Sequence, residues 1–436
     1  MESGGPVTIN NNTTANCLLD LTTPYPARSM ASSCQLVRDS TKRVSAMALH
    51  VKIIQRRIEH AVSQLDARTI AGVLAPDAFE ADRVHFADET DPELTALYLL
   101  AVDAINFCFW PDHDAIADVK KAKKAYHQFD TTARYLLNSG LPVTDSGPAI
   151  LVGTPPEHAS GADELSASAE ERAWHPDQLA VQGLEYEHIA GGLRRALEAD
   201  RGCLDPARLE AIDGPGLRAL LGWPRTLPLE RERARLLREI GIGLNRHWGG
   251  RVTALIEAAQ KSAPCLVDLV AQTFPGFRDQ CVHPRDGSQV YLMKRAQIFV
   301  ADVWGRFRGR GLGDFGESIG ELTTFADYRV PVVLRELGIL KYAPALEQTV
   351  ESRGSVPAGS EEEIEIRAAT VQAVERIRKA LEARLRDEIE LCPEFGSGRG
   401  DRPPVTCVAL DWWLWTRGEK LRDQSPPHHK TITTCY

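Results

Sequence analysis

The sequence has no CxxC pair, no HExxH and no GxGxxG that follows a strand and opens a helix. These absences remove the usual zinc spacings, the metalloprotease helix and the dinucleotide-binding turn from consideration. Its nine cysteines are odd in number and scattered (Cys17, Cys34, Cys108, Cys203, Cys265, Cys281, Cys392, Cys407 and Cys435), so they give no disulfide framework. No apolar run approaches the ~20 residues needed to span a bilayer. The opening MESGGPVTINNNTTAN lacks the basic region and apolar core of a secretory signal. A cytoplasmic protein with reduced thiols, no metal, no cofactor and no membrane contact is the expectation. An excess of positive charge is also missing: 51 Lys and Arg face 60 Asp and Glu, for a net charge of −9 and a pI near 5.8. Direct nucleic-acid binding, which needs clustered bases, is therefore not expected. A small anionic ligand held by two or three local cations remains compatible.

Strand-like alternation is scarce, and helical patterning fills the chain instead. Residues 1–27 are rich in Asn, Thr and Pro and are read as a disordered tail. Beyond them Val51, Ile54, Ile58 and Val62 recur at spacings of three and four, as on one helix face. Asp91 followed by Pro92 marks a helix start, and the apolar run from Leu94 to Phe109 predicts a central helix ended by Pro111. The lysines at 120–124 read as a solvated face, and residues 154–185 as a polar surface insertion. LPLERERARLLREIGIGLNRHWGG carries the stripe Leu236, Ile240 and Leu244 and ends on Gly249 and Gly250. VTALIEAAQKSAPCLVDLVAQTF predicts one further helix, and EEEIEIRAATVQAVERIRKALEARLR a long one. Residues 393–405 form a Gly/Pro loop before the last element, VTCVALDWWLWTRGEKLR. The best strand candidate is VYL at 290–292. The expected fold is mostly α: one large helical domain over 28–436 with at most a small β-hairpin near 282–293, and a monomer.

The chain is organised around residues 274–342. Asp279, Asp302 and Asp327 lie there among large apolar residues instead of in a solvated charge run. A buried carboxylate needs a partner or a task. Lys294, Arg295 and Arg329 are near enough in sequence to be partners, so the aspartates are either helix-to-helix ion pairs or an acidic pocket that stabilises positive charge. Asp411 is set beside Trp412, Trp413 and Trp415 in the same manner. Phe107, Phe109 and Trp110 form either ordinary aromatic core or a stacking wall for a flat base.

The motifs VHFAD, INFCFWPD, KRAQIFVAD, LTTFADYRVP and DWWLW, in that order along the chain, resemble the queuosine salvage proteins. The resemblance runs from about Arg28 to Tyr436. It implies a helical fold distantly similar to the helical DNA glycosylases, and hydrolysis of the N-glycosidic bond of queuosine 5′-phosphate. The substrate is then a small nucleotide whose 7-deazaguanine base carries a cationic aminocyclopentenediol arm. Cleavage builds positive charge at the ribose C1′, which a fixed carboxylate can stabilise. Asp327 and Asp411 are the candidate catalytic residues, one for C1′ and one for the base substituent, in an order the sequence leaves open. Phe325 and Trp412 are the stacking candidates, and Lys294 or Arg329 the phosphate candidates. His85 is a base contact, because the HFxD segment lines the pocket in that family, and Asp279 completes the substrate-binding set. Two other readings stand beside this one: a helical scaffold that binds a nucleoside without cleaving it, and a DNA glycosylase.

Overall fold

The computed structural model describes residues 31–74, 84–113, 183–391, 404–422 and 424–436. The expectations for 1–27, for the lysines at 120–124, for all but the last three residues of 154–185 and all but the last two of 393–405 lie outside those residues. What is described is mostly helical: α1 (Ser33–Met47), β1 (Val51–Ile53), α2 (Gln55–Ser63), α3 (Ala67–Leu74), α4 (Pro92–Ala104), α5 (Tyr186–Ala199), α6 (Pro206–Leu209), α7 (Gly214–Leu221), α8 (Glu230–Trp248), α9 (Val252–Ala258), α10 (Ala263–Thr273), β2 (Gln280–Val282), β3 (Gln289–Tyr291), α11 (Lys294–Arg306), α12 (Val330–Glu336), β4 (Leu340–Tyr342), α13 (Pro344–Glu351), α14 (Glu361–Leu391) and α15 (Cys407–Lys420). The hairpin is β2 against β3, with Cys281 opposite Val290. A second antiparallel pair joins β1 to β4, with Lys52 opposite Lys341. Val51 therefore sits on a strand, not on the helix that carries Ile58 and Val62; three residues of alternation are too short to register against a helical pattern.

Two helix boundaries also differ from the pattern. α4 starts as expected, with the Asp91 carboxylate accepting from the Leu94 amide and Pro92 in the first turn. It is buried on all sides, but it stops at Ala104, and Cys108 takes a left-handed φ of 49°. Pro111 lies in the first turn of the next helical segment instead of ending this one. The predicted helix over 252–274 is two helices, because Gln260 and Lys261 adopt left-handed φ and the Ser262 side chain caps α10 at the Cys265 amide.

The buried apolar residues form two large clusters. One gathers α4, α5, α8, α9, α10 and α11; the other gathers α2, α12, α14 and part of α15. α15 bridges them: Val408 and Trp412 pack into the first cluster, Leu410, Trp413 and Leu414 into the second. Gly418 permits this crossing, since a Cβ there would meet the Arg329 side chain at 2.8 Å. No helix among the described residues is long and apolar enough to cross a membrane.

Candidate active site

A cavity of about 170 Å³ opens at the seam between the clusters. Four stretches of chain make most of its wall. α11 presents Lys294, Ile298 and Asp302, which share one face because they are four residues apart. α15 presents Asp411, Trp412, Trp415 and Glu419 by the same periodicity. The segment before α12 gives Phe325, Asp327 and Tyr328, and the turn after α4 gives Asn106, Phe107 and Phe109. His85, Tyr186 and Tyr436 complete the wall, with Glu185 and Glu187 beside Tyr186.

Each wall is pinned by buried polar side chains. Gln297 on α11 accepts from the Thr323 amide at 2.8 Å and donates to the Thr323 hydroxyl at 2.9 Å, which fixes the approach to Phe325. Arg233, fully buried on α8, donates to the carbonyls of Ile105, Phe107 and Cys108 and lies over the Phe107 ring at 4.3 Å. That grip holds the turn after α4 in its non-helical shape. Burial lowers the Arg233 pKa to about 10, which leaves it charged at neutral pH. Trp304 stacks on Trp412 with ring centres 5.7 Å apart and planes 25° from parallel. His85 is held from both sides, 3.3 Å from the Tyr98 hydroxyl at Nδ1 and 3.3 Å from the Tyr186 hydroxyl at Nε2. Tyr98 donates its proton to the Ala190 carbonyl at 3.0 Å, so Nδ1 of His85 is the donor to Tyr98.

The carboxylates are in distinct environments. Asp327 accepts the amides of Arg329 and Val330 on Oδ1, both at 2.9 Å. Its other oxygen has no hydrogen-bond donor among the described residues, and the side chain is partly exposed at the cavity wall. Burial raises its pKa, against the pull of Lys294 and of those two amides. Asp411 is buried and accepts the Thr324 hydroxyl and the Phe325 amide (2.8 Å) on Oδ1. Burial first, and the Asp327 charge second, push its pKa up to about 8. Asp302 is likewise pushed up to about 8 by burial, with Asp411 adding to the effect and Lys294 opposing it. The cavity thus combines a carboxylate group anchored on two amides with two carboxyls whose pKa burial lifts to about 8.

Lys294 lines the cavity, donates to the Asn106 carbonyl at 3.2 Å, and has its pKa lowered to about 8, chiefly by burial. Arg329 does not line it: its Nε donates to Glu419 at 2.7 Å, so it is committed to a carboxylate that does. Asp279 is placed elsewhere too. Both of its oxygens are taken by Arg367, and Oδ2 also accepts the Lys294 amide at 3.1 Å. It is one half of a buried ion pair, 4% exposed, behind the cavity wall. Sequence reasoning placed His85, Lys294, Phe325, Asp327, Asp411 and Trp412 in one cavity. It missed Ile298, Trp415 and Glu419, which the four-residue spacing from Lys294 and Asp411 could have found. Tyr186 and Tyr436 carry no local signal.

The grouping of metal-type donors among the described residues, His50, Glu361 and Glu365, is remote from this chemistry. Glu365 accepts the amides of Leu49, His50 and Val51, and Arg285 pairs with both glutamates, so these groups are already satisfied.

A family model described as "Queuosine salvage protein" matches residues 166–436. Three curated relatives carry the name queuosine 5′-phosphate N-glycosylase/hydrolase. The protein from Dictyostelium discoideum is 32% identical over 412 residues, covering 92% of this chain and 98% of its own. That from Sphaerobacter thermophilus is 33% identical over 401 residues, covering 92% and 97%. That from Mus musculus is 35% identical over 214 residues, covering 48% and 59%.

Proposed function

Because this chain belongs to the queuosine salvage protein family, we propose that it is a hydrolase of the N-glycosidic bond of queuosine 5′-phosphate, releasing queuine and ribose 5-phosphate. The observation that carries the reading is the pairing of Asp327, held by two amides and open to the cavity, with a buried Asp411 whose pKa is pushed up to about 8. The C1′–N bond breaks with both electrons leaving on the base. Asp327, as the anion, faces the positive charge that develops at C1′ and takes a proton from the water that attacks there. A 7-deazaguanine lacks N7, so the departing base must be protonated at another edge. Asp411, neutral at pH 7, is the donor. Water's oxygen ends on the ribose and a proton ends on the base. Asp411 is left ionised and Asp327 protonated, and exchange with solvent restores both.

The rest of the wall suits this substrate. Phe325 and Trp412 offer flat surfaces for the base, the latter stiffened by Trp304. Lys294 is the cation at the cavity for the phosphate, and His85 reaches the base. The acidic lining of Glu185, Glu187 and Glu419 favours a cationic arm. The same lining would repel a polyanionic nucleic acid, so the substrate is a free nucleotide. We place the protein in the cytoplasm, as a monomer, supplying queuine for tRNA modification. The test is product analysis. Purified protein incubated with queuosine 5′-phosphate should yield queuine and ribose 5-phosphate by mass spectrometry. Recovery of unchanged nucleotide that nevertheless binds would favour the non-catalytic scaffold, and release of a base from duplex DNA would favour the DNA glycosylase.

A further inference from the structure

The segment 425–436 has no helix or extended sheet pairing, yet it is fastened along its length. The Trp110 indole donates to the Thr431 carbonyl at 3.3 Å, and the Cys108 amide to the Tyr436 carbonyl at 3.0 Å. Lys430 lies over the Trp110 ring at 5.2 Å, and His428 packs on Tyr328 with ring centres 4.6 Å apart. Tyr328, Phe107 and Phe109 are cavity residues, and so is Tyr436 itself, at 2% exposure. The Tyr436 hydroxyl is occupied by His429 Nε2 at 3.1 Å, and its ring lies on the Arg367 guanidinium at 4.4 Å. Arg367 reaches three places at once. It forms the two-pronged pair with Asp279, donates from Nε to the Ala326 carbonyl at 2.9 Å, and supports Tyr436. Ala326 directly precedes Asp327, and Asp279 also accepts the amide of Lys294. One buried ion pair therefore ties together the backbone beside Asp327, the start of α11 and the aromatic ring at the far end of the chain.

We propose that Tyr436, held at the cavity by the segment 425–436, is a substrate-binding residue, and that Arg367 and Asp279 are positioning residues that act through it. Because its hydroxyl is already bonded, Tyr436 contributes ring surface to the ligand. In this arrangement Asp279 acts on the site without touching substrate. The inference rests on the hydrolase reading for its substrate, and it is separable from that reading.

The experiment compares wild type with Tyr436→Ala, Tyr436→Phe and Asp279→Asn on queuosine 5′-phosphate, measuring kcat, KM, Kd by calorimetry, and melting. Tyr436→Ala should raise KM and Kd at least tenfold with kcat changed only a few-fold, and Tyr436→Phe should recover most of that affinity. Asp279→Asn should raise KM in the same direction, and the double variant Asp279→Asn/Tyr436→Ala should bind no worse than Tyr436→Ala alone. A purely structural role would lower melting and leave KM unmoved in the folded fraction. Wild-type KM and Kd in a folded Tyr436→Ala overturn the proposal. Should that variant fail to melt cooperatively, Tyr436→Leu replaces it and is read in the same way. Wild type that binds but does not hydrolyse sinks the hydrolase reading alone and leaves Kd to judge Tyr436. Wild type that does not bind overturns both.

Discussion

At the scale of single residues, Asp327 and Asp411 are chemically alike in the sequence and differently held in the fold. Neighbouring aromatic residues marked both, but their environments differ: Asp327 is held by the nearby amides of Arg329 and Val330, whereas Asp411 is buried against Thr324 and Phe325, 87 and 86 residues away in sequence. The Asp411 environment makes a signed prediction. Its ordinary pKa is 3.8 and its folded value about 8, so between these the folded protein keeps a proton that the unfolded chain has released. Its stabilising contribution is complete below the ordinary value and is lost as pH rises through the folded one. Asn keeps the acceptor used by Thr324 and Phe325 without that loss. Asp411→Asn should therefore melt at or above wild type at pH 7.5, by differential scanning calorimetry, while losing turnover. In wild type, kcat at saturating substrate should fall above about pH 8 as this donor ionises, and that fall should be absent from the residual kcat of Asp411→Asn. A lower melting temperature together with an unchanged pH profile would assign Asp411 to structure alone.

At the scale of elements, the helices carrying the site were legible and the pieces between them were not. The stripe on α8 and the amphipathic length of α14 follow from period, and the start of α4 from Asp91 and Pro92. The end of α4 was misread because Leu94 to Phe109 is continuously apolar, and periodicity cannot locate a break inside such a run. The break is imposed from outside, by Arg233 on the carbonyls of Ile105, Phe107 and Cys108. Arg233→Met should leave the Phe107 and Cys108 carbonyls without this donor, while the Ile105 carbonyl keeps the Phe107 amide, at about 1–3 kcal/mol for each group not rescued by water. A lower midpoint in urea and a raised KM are expected together, because Phe107 and Phe109 line the cavity. On α15, Trp412 is held by Trp304 from α11, and Trp304→Ala should remove a contact worth about 0.5–1.5 kcal/mol beyond its burial. Its effect should fall on substrate affinity more than on kcat. Loss of kcat alone would show that the stack does not shape the binding surface.

At the scale of the whole molecule, the mostly helical architecture and the hairpin were readable because helical amphipathicity repeats over many residues and the hairpin strands stand apart from it. The pairing of β1 with β4 was not, since it joins two three-residue strands across most of the chain. The joining of the site was partly readable: the aspartate-bearing stretch and DWWLW pointed to one pocket, whereas Tyr186 and Tyr436 reach it only through the tertiary fold. Asp279 was taken for a substrate contact because a buried carboxylate looks the same in sequence whether it faces a ligand or an arginine 88 residues away. The central claim is that this seam cavity hydrolyses queuosine 5′-phosphate with Asp327 stabilising charge that exists only in the transition state. Its most direct test is single-turnover release of queuine by wild type and Asp327→Asn, with Kd measured on both. The account predicts a rate lower by on the order of 100- to 1000-fold and a Kd within a few-fold of wild type. A folded Asp327→Asn that binds the nucleotide and releases queuine within a few-fold of the wild-type rate would contradict it.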